Sequence, residues 1–366
     1  MLLVGLGCQA RPATTANDGS SKTDAPGPPP CTVGGTMAGM SITVACGQKS
    51  PAKIVVGGDS VFWTNEIPGV IVSTASRAGG APRTVVVGNA PAFGIAVDET
   101  TVYWTEPTSG KVMKVARSGG QPVTVASGLN NPLHLVTDGT NLYWTAGRRR
   151  PNEADGGELD GGETDAGDTD GGGTDGRNAD GGRTDAGQSD GGSIGTVSLR
   201  PGSKPSTLVS GLSRPNAIAV DDQALYWTDL ADGTVSKLPK QPSGSSGAPT
   251  PVRLADGSRQ PGDLALANGH LYWTDQGGRV WHVGRNGGDA EVLASGQDSP
   301  SGVAADEQYV YWTAVAAGTV MRVPVRGGAA TVVADGQDEP YFITVDDTSV
   351  YWTNRGSGGR VTKAAK

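Results

Sequence analysis

Few side chains in this chain of 366 residues are suited to acid–base or nucleophilic chemistry. The histidines are His134, His270 and His282, and none of them stands at motif spacing from a nucleophile. The sequence contains no Gly-x-Ser-x-Gly elbow, no His-Glu-x-x-His motif and no Gly-Lys-Ser/Thr phosphate loop. The sequence by itself therefore identifies no catalytic residue.

One set of polar residues is related by position in an internal repeat. Lys53, His134, Asn216 and Asp263 each follow, by one or two residues, a proline that opens one copy of the repeat. If the copies surround an axis, these side chains converge on one opening. Convergent polar groups in a concave site predict binding of a small polar ligand there. The alternative is an opening that is merely lined by water.

The repeat is marked by an aromatic segment, Phe/Tyr-Trp-Thr. Seven of the eight tryptophans lie in it: Trp63, Trp104, Trp144, Trp227, Trp273, Trp312 and Trp352. The usual step is about 40 residues, and the long step after Trp144 contains an insertion at residues 148–193. Four-stranded units repeated at this period are typical of β-propellers.

Each copy reads as four strands separated by glycine-rich turns, which explains much of the count of 58 glycines. The aromatic strand is apolar at successive positions, as expected where one sheet packs between two others. The last copy lacks a fourth strand, but residues 42–51 align without gaps on residues 331–340. We therefore predict an all-β, seven-bladed propeller closed by an N-terminal strand. A six-bladed ring with one copy to spare is the alternative.

The Tyr-Trp-Thr strand, preceded by Ile-Ala-Val-Asp as at residues 218–221, resembles the YWTD propellers of low-density-lipoprotein-receptor-like proteins and the TolB-like bacterial propellers. The fourth motif residue, Asp, is kept only at Asp229 and Asp275. Those families usually have six blades, whereas seven copies are present here. The resemblance covers residues 42–366 apart from the insertion, and it implies a propeller. Lactonase- and lyase-type propellers hold a divalent ion with residues of the types found at His134, Asn216 and Asp263.

The N-terminal residues are similar to the end of a bacterial lipoprotein signal. Residues 1–8 end in Gly7-Cys8, which predicts a truncated signal and a lipidated Cys8. Residues 9–30 are rich in Pro, Ser and Thr and read as a flexible linker before the propeller at 31–366. Lipidation of Cys8 would leave Cys31 and Cys46 to form a disulfide, which fits an oxidising compartment. Two free thiols are the alternative.

The insertion at residues 148–193 is rich in Asp and Gly and holds 12 acidic and five basic residues. It has almost no large apolar side chains, so we expect a disordered spacer within blade 3. Its Asp-x-Asp-Gly pieces lack the glutamate that completes an EF-hand loop, which disfavours specific calcium binding.

The functional expectation is a non-enzymatic lipoprotein of the bacterial envelope, outer-membrane-anchored, whose propeller binds a protein or glycan partner. The formal net charge of −8 argues against a nucleic-acid partner. No stretch approaches the 18 apolar residues of a spanning helix, so the lipid anchor is the expected membrane contact. We expect a monomer without cofactor. The alternative is a metal-dependent lactonase- or lyase-like enzyme with its divalent cation at the channel mouth.

Overall fold

The computed structural model describes residues 41–67, 69–77, 81–147, 191–240 and 249–366. All regular structure in these residues is β. The strands in chain order are β1 Ile42–Ala45, β2 Pro51–Gly57, β3 Ser60–Asn65, β4 Gly69–Ser76, β5 Arg83–Gly88, β6 Ile95–Val97, β7 Thr101–Glu106, β8 Lys111–Ala116, β9 Val123–Ala126, β10 Pro132–Thr137, β11 Asn141–Ala146, β12 Gly192–Ser198, β13 Ser206–Leu212, β14 Pro215–Val220, β15 Ala224–Asp229, β16 Thr234–Pro239, β17 Val252–Ala255, β18 Pro261–Ala267, β19 His270–Asp275, β20 Arg279–Gly284, β21 Glu291–Ala294, β22 Pro300–Ala305, β23 Tyr309–Ala314, β24 Thr319–Pro324, β25 Thr331–Ala334, β26 Pro340–Val345, β27 Ser349–Asn354 and β28 Arg360–Ala365.

These strands form seven antiparallel sheets of four strands each in the described residues. Blades 1 to 6 begin with the inner strands β2, β6, β10, β14, β18 and β22 and end with an outer strand three places later. The inner strands of successive blades lie beside one another, and β26 of blade 7 lies beside β2 of blade 1. The predicted seven-bladed propeller is therefore confirmed, and the six-bladed alternative is wrong.

The N-terminal strand closes the ring. In blade 7 the order is β1-β28-β27-β26, so the outer strand comes from the start of the chain. Ile42 lies opposite Lys363, and Thr43 lies opposite Thr362. The predicted closure is confirmed. It leaves no unpaired third strand at that blade, where an open edge would invite pairing with other chains.

The core lies between neighbouring blades. All seven motif tryptophans are at most 2 % exposed. One cluster joins Ile54 and Trp63 of blade 1 to Phe342 and Tyr351 of blade 7. Each aromatic strand is covered by a sheet on either side, which explains why its apolar residues do not alternate with polar ones.

The insertion lies between the second and third strands of blade 3, and residues 148–190 lie outside the described part. Strand β12 begins at Gly192, and its Ser193 pairs with Ala146, so the last two residues of the predicted spacer are strand residues. Residues 1–40, including Cys8 and Cys31, also lie outside the described residues. No helix in the described residues has the length and apolarity needed to cross a bilayer.

Candidate functional site

The motif tyrosines hold the ends of the inner strands. Tyr103 donates a hydrogen bond of 2.7 Å to Asp98, the aspartate that follows the inner strand of its blade. Burial, together with this bond, raises the pKa of Tyr103 to about 12. The same bond recurs in four other blades, as Tyr143–Asp138, Tyr226–Asp221, Tyr311–Asp306 and Tyr351–Asp346. These tyrosines fix the blade rather than offering their hydroxyls to a ligand.

The motif tryptophans hold the connections that lead into the inner strands. Trp312 Nε1 donates to Gln297 Oε1 at 3.0 Å, and Trp352 Nε1 donates to Gln337 Oε1 at 2.9 Å. Both glutamines lie three residues before an inner-strand proline. Trp63 and Trp273 make the equivalent bond to Gln48 and Ser258, whereas Trp104 bonds to Glu106 of its own strand. In four blades the aromatic strand therefore sets the position of the connection that opens the inner strand.

The motif threonines join one blade to the next. Thr313 Oγ1 accepts a 3.0 Å hydrogen bond from Gly302 N of its own blade and donates at 2.6 Å to Tyr341 O of the next blade. Thr105, Thr145 and Thr228 make the equivalent pair of bonds. These bonds fix the first residues of the inner strands, which are the residues of the candidate site.

In blades 3 to 7, the first residue after the inner-strand proline is half-buried and the second residue is buried, and blade 2 shows the same order after Ala92. Blade 1 reverses this order, since Ala52 is buried and Lys53 is half-buried. We call the half-buried side chains at this opening the mouth floor. It consists of Lys53, Phe93, Leu133, Asn216, Ser301 and Tyr341.

Lys53 and Asp263 meet across the ring, from blades 1 and 5. Lys53 Nζ lies 2.5 Å from Asp263 Oδ1, and their side chains are 21 % and 3 % exposed. The second oxygen of Asp263 accepts a hydrogen bond from Val303 N at 3.3 Å. Lys53 Nζ also lies 4.4 Å from the ring centre of Phe342. The two charges at the centre of the propeller neutralise each other.

His134 lies in the same cluster between two aromatic rings. Its ring centre is 5.2 Å from that of Phe93 and 5.7 Å from that of Phe342, both in edge-on geometry. Burial, with a smaller contribution from the charge of Lys53, holds the pKa of His134 well below its usual value. The imidazole is therefore neutral at physiological pH, and it packs as part of an aromatic plug.

The structure brings together three of the four residues predicted from sequence. Lys53, His134 and Asp263 share the central cluster, whereas Asn216 is engaged elsewhere. Its Nδ2 donates to Gly262 O at 3.1 Å, and its own carbonyl accepts from Thr145 Oγ1 at 2.6 Å. Asn216 therefore belongs to the mouth floor and makes no direct bond to the other three.

The geometry does not fit the divalent cation of the enzyme hypothesis. Asp263 is already paired with the Lys53 ammonium, and a second cation beside it would be repelled. The side-chain amide of Asn216 is bonded to a backbone carbonyl. Among the described residues, no group of three or more His, Cys, Asp or Glu side chains is arranged to hold a metal ion.

Arg355 forms a second polar cluster beside the mouth that sequence reasoning missed. Its guanidinium lies 4.3 Å from the ring centre of Tyr341, and it donates to Glu66 Oε2 of blade 1. Arg355 Nε also donates to Ser50 Oγ at 3.4 Å. Burial raises the pKa of Tyr341. The sequence signal was weak, since Arg355 stands at a loop position where the other repeats have unrelated residues.

On the opposite face, cations from one blade bind the inner-strand aspartates of the preceding blade. Lys240 Nζ lies 2.6 Å from Asp138 Oδ2, and Arg285 Nη1 lies 2.9 Å from Asp221 Oδ2. The pairs Lys366–Asp306 and Arg77–Asp346 repeat this contact, the last across the ring closure. We call these four ion pairs the blade latches. In the sequence, these ion pairs are indicated by a basic residue that recurs directly after the third strand of a blade.

Cys46, at the end of the closing strand, is disulfide-bonded. Its partner lies outside the described residues. The pairing of Cys31 with Cys46 therefore stays a prediction.

The fold is similar to that of several solved propellers. Streptogramin B lyase superposes with a TM-score of 0.63 and 12 % identity, over 88 % of this chain and 95 % of the lyase chain. A catalytically inactive virginiamycin B lyase from Staphylococcus aureus, solved with quinupristin, gives a TM-score of 0.63 and 13 % identity over 89 % and 98 % of the two chains. The computationally designed Ika8 protein gives a TM-score of 0.56 and 13 % identity over 88 % and 98 %.

At these identities the likeness is one of fold. No protein-family model matches the chain, and no curated protein sequence matches it. The comparisons therefore agree with the predicted propeller architecture and transfer no activity to this chain.

Proposed function

We propose that this propeller is a binding module that presents the face around its channel mouth to a protein or glycan partner. The observation that carries the proposal is the Lys53–Asp263 pair at 2.5 Å, which neutralises the two charges at the centre. What the mouth floor then offers is apolar surface from Phe93, Leu133 and Tyr341, with polar groups at Asn216 and Ser301. A mostly apolar concavity with a few fixed polar groups is suited to binding.

The lyases of similar fold do not make this chain a lyase, because fold and function are separable. The enzyme hypothesis needs a metal ion at His134, Asn216 and Asp263. Asp263 would have to exchange a bonded ammonium for that ion. Stoichiometric metal in the purified protein that is lost in Asp263→Ala would favour the enzyme and contradict the binding module.

We propose further that the protein is exported and held at the cell envelope by a lipid on Cys8. The disulfide at Cys46 supports export, since disulfides persist in oxidising compartments. Fatty-acid labelling that survives in Cys8→Ser would refute the anchor.

The binding face is tested with one substitution placed on opposite faces of the same blade. Ser301→Arg puts a long cation on the mouth floor, whereas Gln308→Arg puts the same side chain on the exposed turn at the other end of blade 6. Both are made in the Cys8→Ser chain, so that no lipid carries the protein to a membrane. The assay is saturable co-sedimentation with isolated cell envelopes.

We expect Ser301→Arg to bind at least tenfold more weakly and Gln308→Arg to bind like the parent chain. Equal binding by Ser301→Arg would show that the mouth face is not the binding face.

A further inference from the structure

The backbone around the mouth is strained at residues that carry side chains. In the described residues, positive φ occurs at 21 glycines and at only six other residues. Five of those six directly precede an inner-strand proline: Ser50, Asn131, Gln260, Ser299 and Glu339, with φ between 48° and 55°. For residues with a side chain this left-handed region is unfavourable, because Cβ approaches the following carbonyl oxygen.

Each of these connections contains a second residue with positive φ, which can be compared with the residue before the proline. Three residues earlier stands a residue that also has positive φ, and it is always glycine: Gly47, Gly128, Gly257, Gly296 and Gly336. A Cβ added at any of these glycines would meet nothing within 4 Å, so glycine is used there for its conformation and not for lack of space. The first left-handed position of each connection is therefore a glycine, whereas the second is a residue with a side chain.

The backbone geometry alone does not require a side chain at the second position. Val315 N donates to Ser299 O at 3.0 Å, and Arg355 N donates to Glu339 O at 3.0 Å. A glycine carbonyl would accept these bonds equally well. The side chains are therefore kept at a conformational cost that the fold does not explain.

Contacts within the chain account for only two of the six exceptions. Ser50 bonds to Glu66 and Arg355, and Asn268, in a turn on the opposite face, donates to Asp306 O at 2.8 Å. No hydrogen bond to the side chains of the other four occurs among the described residues. Gln260, Ser299 and Glu339 are exposed, and Asn131 is half-buried. Strain retained without an internal partner is a mark of functional positions.

We propose that these four residues, Asn131, Gln260, Ser299 and Glu339, form a polar collar around the mouth floor that binds a neutral oligosaccharide. This inference rests on the proposed binding function and names its ligand class. Two amides, a hydroxyl and one carboxylate offer both donors and acceptors, which matches sugar hydroxyl groups.

The chemistry of the collar disfavours a phosphate-bearing ligand. The four collar residues include no Lys or Arg that could meet a phosphate group. The apolar side chains of the mouth floor, Phe93 and Tyr341 among them, are suited to the C–H faces of a sugar ring.

The test uses glycine, because glycine removes the side chain and relieves the strain in one step. The full chain carrying Asn131→Gly, Gln260→Gly, Ser299→Gly and Glu339→Gly together is applied, beside the parent, to an array of immobilised neutral oligosaccharides. Asn268→Gly is the matched control, since it relieves the same conformation on the opposite face.

We expect the fourfold variant to lose at least tenfold in affinity for the bound oligosaccharides while its melting temperature stays equal or rises. Asn268→Gly should bind like the parent. Unchanged binding by the fourfold variant would overturn the collar.

If the parent chain binds none of the immobilised oligosaccharides, the proposal of a sugar ligand is overturned. If Ser301→Arg still weakens envelope binding and protease treatment of the envelopes abolishes it, the binding function stands and the partner is a protein. If Ser301→Arg has no effect on envelope binding, the proposed function itself fails.

Discussion

Replacing Lys53 by methionine tests whether the central ion pair is buried as the geometry indicates. The substitution keeps most of the aliphatic stem and removes the ammonium. It leaves the Asp263 carboxylate, whose side chain is 3 % exposed, with only the 3.3 Å hydrogen bond from Val303 N. Removing one partner of a buried ion pair costs about 3–5 kcal/mol, because the remaining charge is desolvated and unpaired.

The lower end of that range applies here, since the Lys53 side chain is 21 % exposed and water can reach its place. We therefore expect Lys53→Met to lower the free energy of unfolding by about 3 kcal/mol. Lys53→Met combined with Asp263→Asn removes both charges and keeps an acceptor for Val303 N. The double variant should lie within about 1 kcal/mol of the parent.

The measurement is urea unfolding followed by the fluorescence of the buried tryptophans, run as a double-mutant cycle. Lys49→Met is the control, since Lys49 is exposed, and it should change stability by less than about 0.5 kcal/mol. A cycle that is additive within about 0.5 kcal/mol would refute the reasoning, because contacting charges in a buried pair must couple.

Three further predictions concern the blade contacts. Thr313→Val removes the hydrogen bond from Gly302 N of its own blade and the bond to Tyr341 O of the next blade, and it should cost about 2 kcal/mol in urea unfolding. Burial would raise the pKa of Asp138, but the hydrogen bonds from Lys240 and the adjacent backbone outweigh it and lower the pKa. The contribution of this ion pair to the free energy of unfolding is therefore fully present above the unfolded pKa of about 3.9, and it is lost as pH falls through the folded pKa. Lys240→Met should flatten this acid dependence of the melting temperature. Ser299→Gly should stabilise the protein by roughly 0.5 kcal/mol, since relief of the left-handed strain exceeds the entropy that glycine gains in the unfolded chain.

Each of these has a matched comparison. Thr207→Val makes the same change at an exposed outer-strand residue and should be neutral, so an equal loss there would remove the argument for the Thr313 bonds. An acid dependence unaltered by Lys240→Met would show that the latch does not set the pKa of Asp138. Ser299→Ala keeps the strain, and a gain as large as that of Ser299→Gly would contradict the conformational explanation.

Much of the fold was predictable because the repeat signal is local. The Trp-Thr segments predict the second strand of each blade, and the alignment of residues 42–51 on residues 331–340 predicts the closing strand β1. The difference lies in a strand boundary, since Ser193 of the predicted spacer pairs with Ala146 as part of strand β12. Hydrophobic patterning and chain closure act over short stretches and are visible in the residue order.

The site was only partly predictable. Position in the repeat predicted that Lys53, His134, Asn216 and Asp263 share one end of the ring. It did not indicate that Asn216 turns to Gly262 O or that Phe93 and Phe342 enclose His134. Those outcomes depend on side-chain length and rotamer across the channel, which repeat position does not encode.

By itself the sequence determined the ring, its seven copies, its N-terminal closure and the face on which the candidate residues lie. Those features follow from periodic burial and turn chemistry, which are encoded locally within each repeat. Only the tertiary structure decided that Lys53 of blade 1 pairs with Asp263 of blade 5, and that the residues before five of the inner-strand prolines adopt positive φ. Such pairings arise when blades distant in sequence meet around one axis, where distance in space no longer follows distance along the chain.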